Sequence, residues 1–128
     1  MRNANRFIML MALCLALASP SLSLAHGNHK AMHGGLVKSM GETIVELVVE
    51  ADGARIYLRD EAEGTPLSGS GGKLIARHED TRSESDLVPD GNGALTAKGV
   101  KLVTGTRVSV QVILADGQTR VAANFAIP

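Results

Sequence analysis

The chain has 128 residues, with 13 basic and 13 acidic side chains, one cysteine, no tryptophan, one tyrosine and two phenylalanines. A disulfide framework is excluded by the single thiol. With no net charge and so few aromatics, the chain also lacks the basic stripe and stacking platforms that nucleic-acid binding needs.

Arg2 and Arg6 open the chain, an apolar run follows over residues 7–18, and small residues stand at Ser23 and Ala25. This is the pattern of a cleavable export signal, residues 1–25, with cleavage after Ala25. The apolar run falls short of the roughly 20 residues a membrane span needs, and Pro20 interrupts it. Cys14 lies inside that run and follows Leu13, which does not suit lipoprotein processing. The processed chain of 103 residues would carry no thiol, a net charge of −2 and no feature that holds it to a membrane. It is long enough to stand on burial alone.

Residues 26–35, His-Gly-Asn-His-Lys-Ala-Met-His-Gly-Gly, concentrate the chemistry of the chain. His26, His29 and His33 offer imidazoles, the commonest side-chain ligands for copper, zinc and nickel. Met32, and further on Met40, offer thioethers that suit Cu(I). Cleavage after Ala25 would add the α-amine of His26 to the donor set. A flexible polar tail with histidines spaced by chance is the competing reading. His78, within the polar run His78-Glu79-Asp80, is a further candidate ligand, although a solvated loop between strands accounts for the same residues.

From residue 36 onward the pattern is that of strands. Residues 36–40 read as a short first strand and residues 43–50 as the best one, with Thr43, Val45, Leu47 and Val49 on one face and Ile44, Glu46, Val48 and Glu50 on the other. Asp52-Gly53 reads as a hairpin turn leading to residues 54–59, where Ala54, Ile56 and Leu58 face inward. Residues 60–72 read as a loop by composition, opened by Asp60 as an acceptor for turn N–H groups and stiffened by Pro66. A strand over 73–77 and a polar hairpin connection over 78–86 follow. Leu87-Val88 precedes the turn 89–93, and residues 94–97 and 100–103 are weaker strands. A closing hairpin turns at Asp116-Gly117, with Val108, Val110, Val112, Leu114, Val121, Ala123, Phe125 and Ile127 inward. About seven short strands without a helical period predict one all-β domain over 36–128, an antiparallel β-sandwich.

Two near-motifs fail. Before Gly72-Lys73, Leu67 stands where a phosphate loop has its first glycine, and Leu74 replaces the hydroxyl. Gly69-Ser70-Gly71 lacks the rest of a nucleophile elbow. No carboxylate pair is set for acid–base work, and an oxidative copper enzyme would grip its substrate with aromatic faces that this chain lacks. The expectation is a protein that is not an enzyme.

The run Met32-His33-Gly34-Gly35, Gly41, the strand Glu46-Leu47-Val48-Val49, the continuation Ile56-Tyr57-Leu58-Arg59-Asp60 and Gly64-Thr65-Pro66 resemble segments of exported proteins associated with heavy-metal efflux. Similar segments accompany the periplasmic adaptors of resistance-nodulation-division exporters. The resemblance covers most of residues 32–127 and implies an immunoglobulin-like sandwich in the periplasm, a role near metal export and an efflux adaptor as partner. Such relatives often carry a histidine in the second strand, where this chain has Thr43-Ile44. The expectation is thus a periplasmic metal-binding accessory protein, with copper preferred and zinc or nickel as alternatives. The rival expectation is a protein-interaction module that docks through a strand edge, marked by an exposed apolar face at Ile44, Val48 and Ile113.

Overall fold

The structure is a computed structural model that describes residues 29–128. The expected export signal, its expected cleavage point and His26 lie outside the described residues. Among the described residues every regular element is a β-strand: β1 (Leu36–Met40), β2 (Thr43–Glu50), β3 (Gly53–Asp60), β4 (Pro66–Leu67), β5 (Gly69–His78), β6 (Thr81–Pro89), β7 (Ala94–Lys98), β8 (Arg107–Leu114) and β9 (Arg120–Ala126). The all-β, antiparallel expectation holds, with nine strands where about seven were expected.

All nine strands belong to one antiparallel sheet in the order β1-β2-β3-β7-β6-β5-β8-β9, with β4 paired to β3. β6 turns the corner of this path. It pairs with β5 as far as Leu87, then with β7 only through Val88 and Pro89. The path curls until β1 packs beside β9, which makes the sheet nearly a barrel. The inner faces meet in one apolar cluster that takes Val45 and Leu47 from β2, Ile56 and Leu58 from β3, Leu74 from β5 and Val108, Val110 and Val112 from β8. Each such side chain, fully buried, contributes about 1.5–3 kcal/mol.

The first hairpin has the expected bounds. Met40 pairs with Thr43 across Gly41-Glu42, and Gly41 takes the positive φ of 64° that the turn requires. The next turn lies one residue earlier than expected, because Glu50 pairs with Gly53 and the loop is Ala51-Asp52. The closing hairpin keeps its expected inward face. Its turn is tied by Asp116, which accepts the Gln118 and Thr119 N–H groups, each at 2.8 Å, and the Thr119 hydroxyl.

Three expectations are corrected. Residues 69–72 are not loop but the start of β5, and Gly69 and Gly72 are there for close approach. A Cβ at Gly69 would stand 2.6 Å from Leu95 Cδ1, and one at Gly72 would run into the Gln111 carbonyl of β8. Residues 81–86 are strand as well, where Arg82, Glu84 and Asp86 face solvent while Ser83 and Ser85 are half-buried. Small hydroxyl residues fill the inner side of that strand, so its alternation does not register as a hydrophobic one. Residues 100–103 form no strand, yet Val100 and Leu102 still enter the core.

Candidate functional site

Glu46 lies on the outer side of β2, between Val37 of β1 and Tyr57 of β3 in register. Alternation alone puts it in water, yet it is 0% exposed. Residues 29–35 run over this face and are fastened to it. Glu46 Oε2 accepts the N–H groups of His33 (2.8 Å) and Gly35 (3.0 Å), and Oε1 accepts that of Met32 (2.9 Å). His33 Nδ1 stands 3.4 Å from Oε1, and Arg59 Nη1 lies 3.5 Å from the same oxygen. Arg59 also donates to the Lys30 carbonyl. One buried carboxylate therefore satisfies three backbone donors of a segment with no ladder of its own, which is what the burial of such donors demands.

The glycines of the segment make this docking feasible. Gly34 has φ of 74°, and a Cβ on Gly35 would collide with the Leu47 carbonyl. The chain can thus turn and then lie flat on β2. His33 closes the arrangement by stacking on Tyr57, with ring centroids 3.5 Å apart and planes within 4°. Burial would push the Glu46 carboxyl up. The backbone N–H bonds from Met32, Gly35 and His33, with the His33 ring, outweigh that and hold it below the ordinary glutamate value of 4.5.

The sequence-derived candidates separate as follows. His33 is half-exposed, with Nδ1 directed to Glu46. A carboxylate at Nδ1 keeps the proton of the neutral ring on that nitrogen, which leaves the lone pair on Nε2. His29 is placed separately, with Nε2 3.3 Å from Glu61 Oε1, an oxygen that also accepts the Ser39 hydroxyl at 2.8 Å. Met32 is 60% exposed although its N–H is fixed, and Met40 is 39% exposed at the end of β1. His78 ends β5, beside Glu79 and Gly105, and no hydrogen bond or ion pair joins it to His29 or His33. Among the described residues no three histidine, cysteine, aspartate or glutamate side chains form a ready cation site.

Glu46, Tyr57 and Arg59 were not among the candidates. In sequence Glu46 and Glu50 occupy equivalent positions of one alternating strand, and nothing local distinguishes them. The Gly34-Gly35 pair is the signal that bears on it, since adjacent glycines after a polar segment allow backbone to lie on backbone. The exposed apolar face expected at Ile44, Val48 and Ile113 is also corrected. Ile44, on the same outer face as Glu46, is 0% exposed, and Val48 and Ile113 are half-buried.

Comparison with protein-family models, with curated proteins and with solved structures finds no match for this chain.

The arrangement can hold a neutral imidazole in one tautomer and one orientation, next to an accessible thioether.

Proposed function

We propose that this chain is an exported transition-metal-binding accessory protein that buffers or hands over its cargo near a heavy-metal efflux system. One observation carries the reading: His33 is oriented by a buried carboxylate through Nδ1 and by a stacked tyrosine, which leaves Nε2 as the donor nitrogen. Imidazoles that bind metals are commonly fixed in this way, since the second hydrogen bond sets the tautomer and raises the basicity of the ligating nitrogen. His33 would be the ordered ligand, His29 and the terminal His26 would complete the imidazole set, and Met32, with Met40, would favour Cu(I). Copper is the preferred cargo, and zinc and nickel share the same donors. His78, which makes no hydrogen bond or ion pair with His29 or His33, is left out of the set. The likeness to adaptor-associated proteins supports a periplasmic location, an immunoglobulin-like form of the sheet, an efflux adaptor as recipient and a role in transfer instead of catalysis.

The test is calorimetric titration of the processed protein with Cu(II) and with Zn(II), beside the double variant His29→Ala/His33→Ala and a chain that begins at Gly34. Affinity is expected to fall by orders of magnitude in both, with the far-ultraviolet circular dichroism of the double variant unchanged. Equal affinity in all three proteins overturns the reading.

A further inference from the structure

A second charged region lies away from the histidine segment, on the outer face of β5, β6, β8 and β9. Arg77 of β5 pairs in register with Arg82 of β6 on one side and with Arg107 of β8 on the other. Residues directly opposite in an antiparallel ladder have Cβ atoms about 5 Å apart and share a face, and like charges there are destabilising. Three guanidinium groups thus stand in a row across three strands. Arg82 has a carboxylate, Glu84 at 2.9 Å, which Lys73 also uses at 3.1 Å. Arg77 and Arg107 have none among the described residues, and the first 28 residues contain no aspartate or glutamate at all.

They line a groove of about 660 Å³ with Lys38, which reaches in from β1, and with Ser109, Gln111 and Asn124. Ser109 faces Asn124 across β8 and β9, and Gln111 follows on the same face. None of these three polar side chains makes a hydrogen bond within the described residues. Three cations and three neutral polar groups, none with a side-chain partner among the described residues, therefore share one recess. Its volume falls in the range of small-molecule sites. Two adjacent guanidinium forks match the oxygens of phosphate or carboxylate.

We infer that this groove binds a small ligand carrying at least two anionic oxygens, phosphoryl or carboxylate, with Arg77, Arg107 and Lys38 meeting the charge and Ser109, Gln111 and Asn124 completing the hydrogen bonds. The ligand offsets the repulsion between Arg77 and Arg107, which is the reason to keep them opposed. The inference is independent of the metal reading, since it uses none of the same residues.

The experiment is a titration of isotope-labelled processed protein with pyrophosphate and, separately, with citrate, at low salt, followed by amide and side-chain chemical shifts. Saturable shifts centred on Arg77, Arg107, Ser109, Gln111 and Asn124 are expected. Saturation by pyrophosphate alone identifies a phosphoryl ligand, by citrate alone a polycarboxylate, and by both a site that reads charge spacing. Arg77→Gln/Arg107→Gln should weaken binding at least tenfold, whereas Lys98→Gln/Lys101→Gln, with the same change in net charge outside the groove, should leave it within twofold. The Arg77/Arg107 variant should melt at or above the wild-type temperature, which shows that its loss of binding is not unfolding. No saturation by either anion at 20 mM, roughly the weakest binding a built site would show, overturns the inference. Equal weakening in the two double variants does so as well.

Discussion

Glu46→Gln is the sharpest perturbation this fold offers, because it removes a charge and one acceptor without changing the size of the side chain. The carboxylate uses both oxygens: Oε2 for the His33 and Gly35 N–H groups, Oε1 for the Met32 N–H, the His33 ring and the Arg59 guanidinium. A glutamine can keep an oxygen at only one end. If it keeps Oε2, its amino group meets the Met32 N–H and the Arg59 cation. If it keeps Oε1, the amino group meets the His33 and Gly35 donors. Either way about two charge-assisted bonds are lost, each worth about 1.5–3 kcal/mol, so docking of residues 29–35 should weaken by about 3 kcal/mol or more. At about 1.4 kcal/mol per decade this is roughly a hundredfold more opening. The loss should be local, because Glu46 faces away from the apolar cluster, which keeps all its contacts. Amide hydrogen exchange is the assay: the Met32, His33 and Gly35 amides should lose about two decades of protection while those of β5 and β8 keep theirs. Protection at the three amides within threefold of wild type would refute the claim that this carboxylate fastens the segment.

Acid should do the same reversibly. The folded protein holds Glu46 below 4.5, so its contribution is complete above that pH and is lost as the pH falls through the lowered folded value. Signals of His33 and Tyr57 should report release below about pH 4.5. Asp90, held low by the Asn92 and Ala94 N–H groups, and Asp116, held low by the Thr119 hydroxyl and N–H, weaken their turns in the same direction, so the readout must be residue-specific. Gly72→Ala should lower stability by about 2–3 kcal/mol in a urea melt, because its Cβ would strike the β8 backbone. Gly64→Ala, with φ of 73° and nothing near its Cβ, should cost only about 1 kcal/mol. Equal costs at the two positions would show that close approach does not select glycine in β5.

What could be read in advance was whatever the period of two writes in apolar letters. β1 and β2 have their expected bounds, and the inward faces of β3, β8 and β9 were legible because Ala54, Ile56, Leu58 and the Val108–Val110–Val112 series alternate with polar residues. β5 and β6 were not legible, for two physical reasons. Glycine at 69 and 72 looks like loop to any propensity argument, while its use here is the closeness of another strand or side chain. On β6 the inner positions Ser83 and Ser85 oppose Ala76 and Leu74, so small polar residues occupy places where a hydrophobic pattern expects valine. The reverse failure occurs at Val100 and Leu102, which alternate correctly and are buried without pairing.

The site exposes a deeper limit of the same reasoning. Alternation assigns a side chain to one face of a sheet, but says nothing of what lies over that face. Glu46 and Glu50 are indistinguishable by period, yet one is fully buried and the other meets Arg55 at the surface. The difference comes from residues 29–35, which have no regular structure and must find partners for their N–H groups on a surface made by β2 and β3. Histidine stretch and acidic strand are thus one unit: the segment buries the glutamate, and the glutamate orders the segment and fixes the tautomer of His33. On the proposed reading, a metal taken up through His33 Nε2 would be linked to Glu46 by mass action. Any change that frees the segment should lower affinity even with every imidazole in place. Glu46→Gln should then weaken Cu(II) binding in the titration that tests His29 and His33, and unchanged affinity would mean that the ordered pose of His33 plays no part in capture.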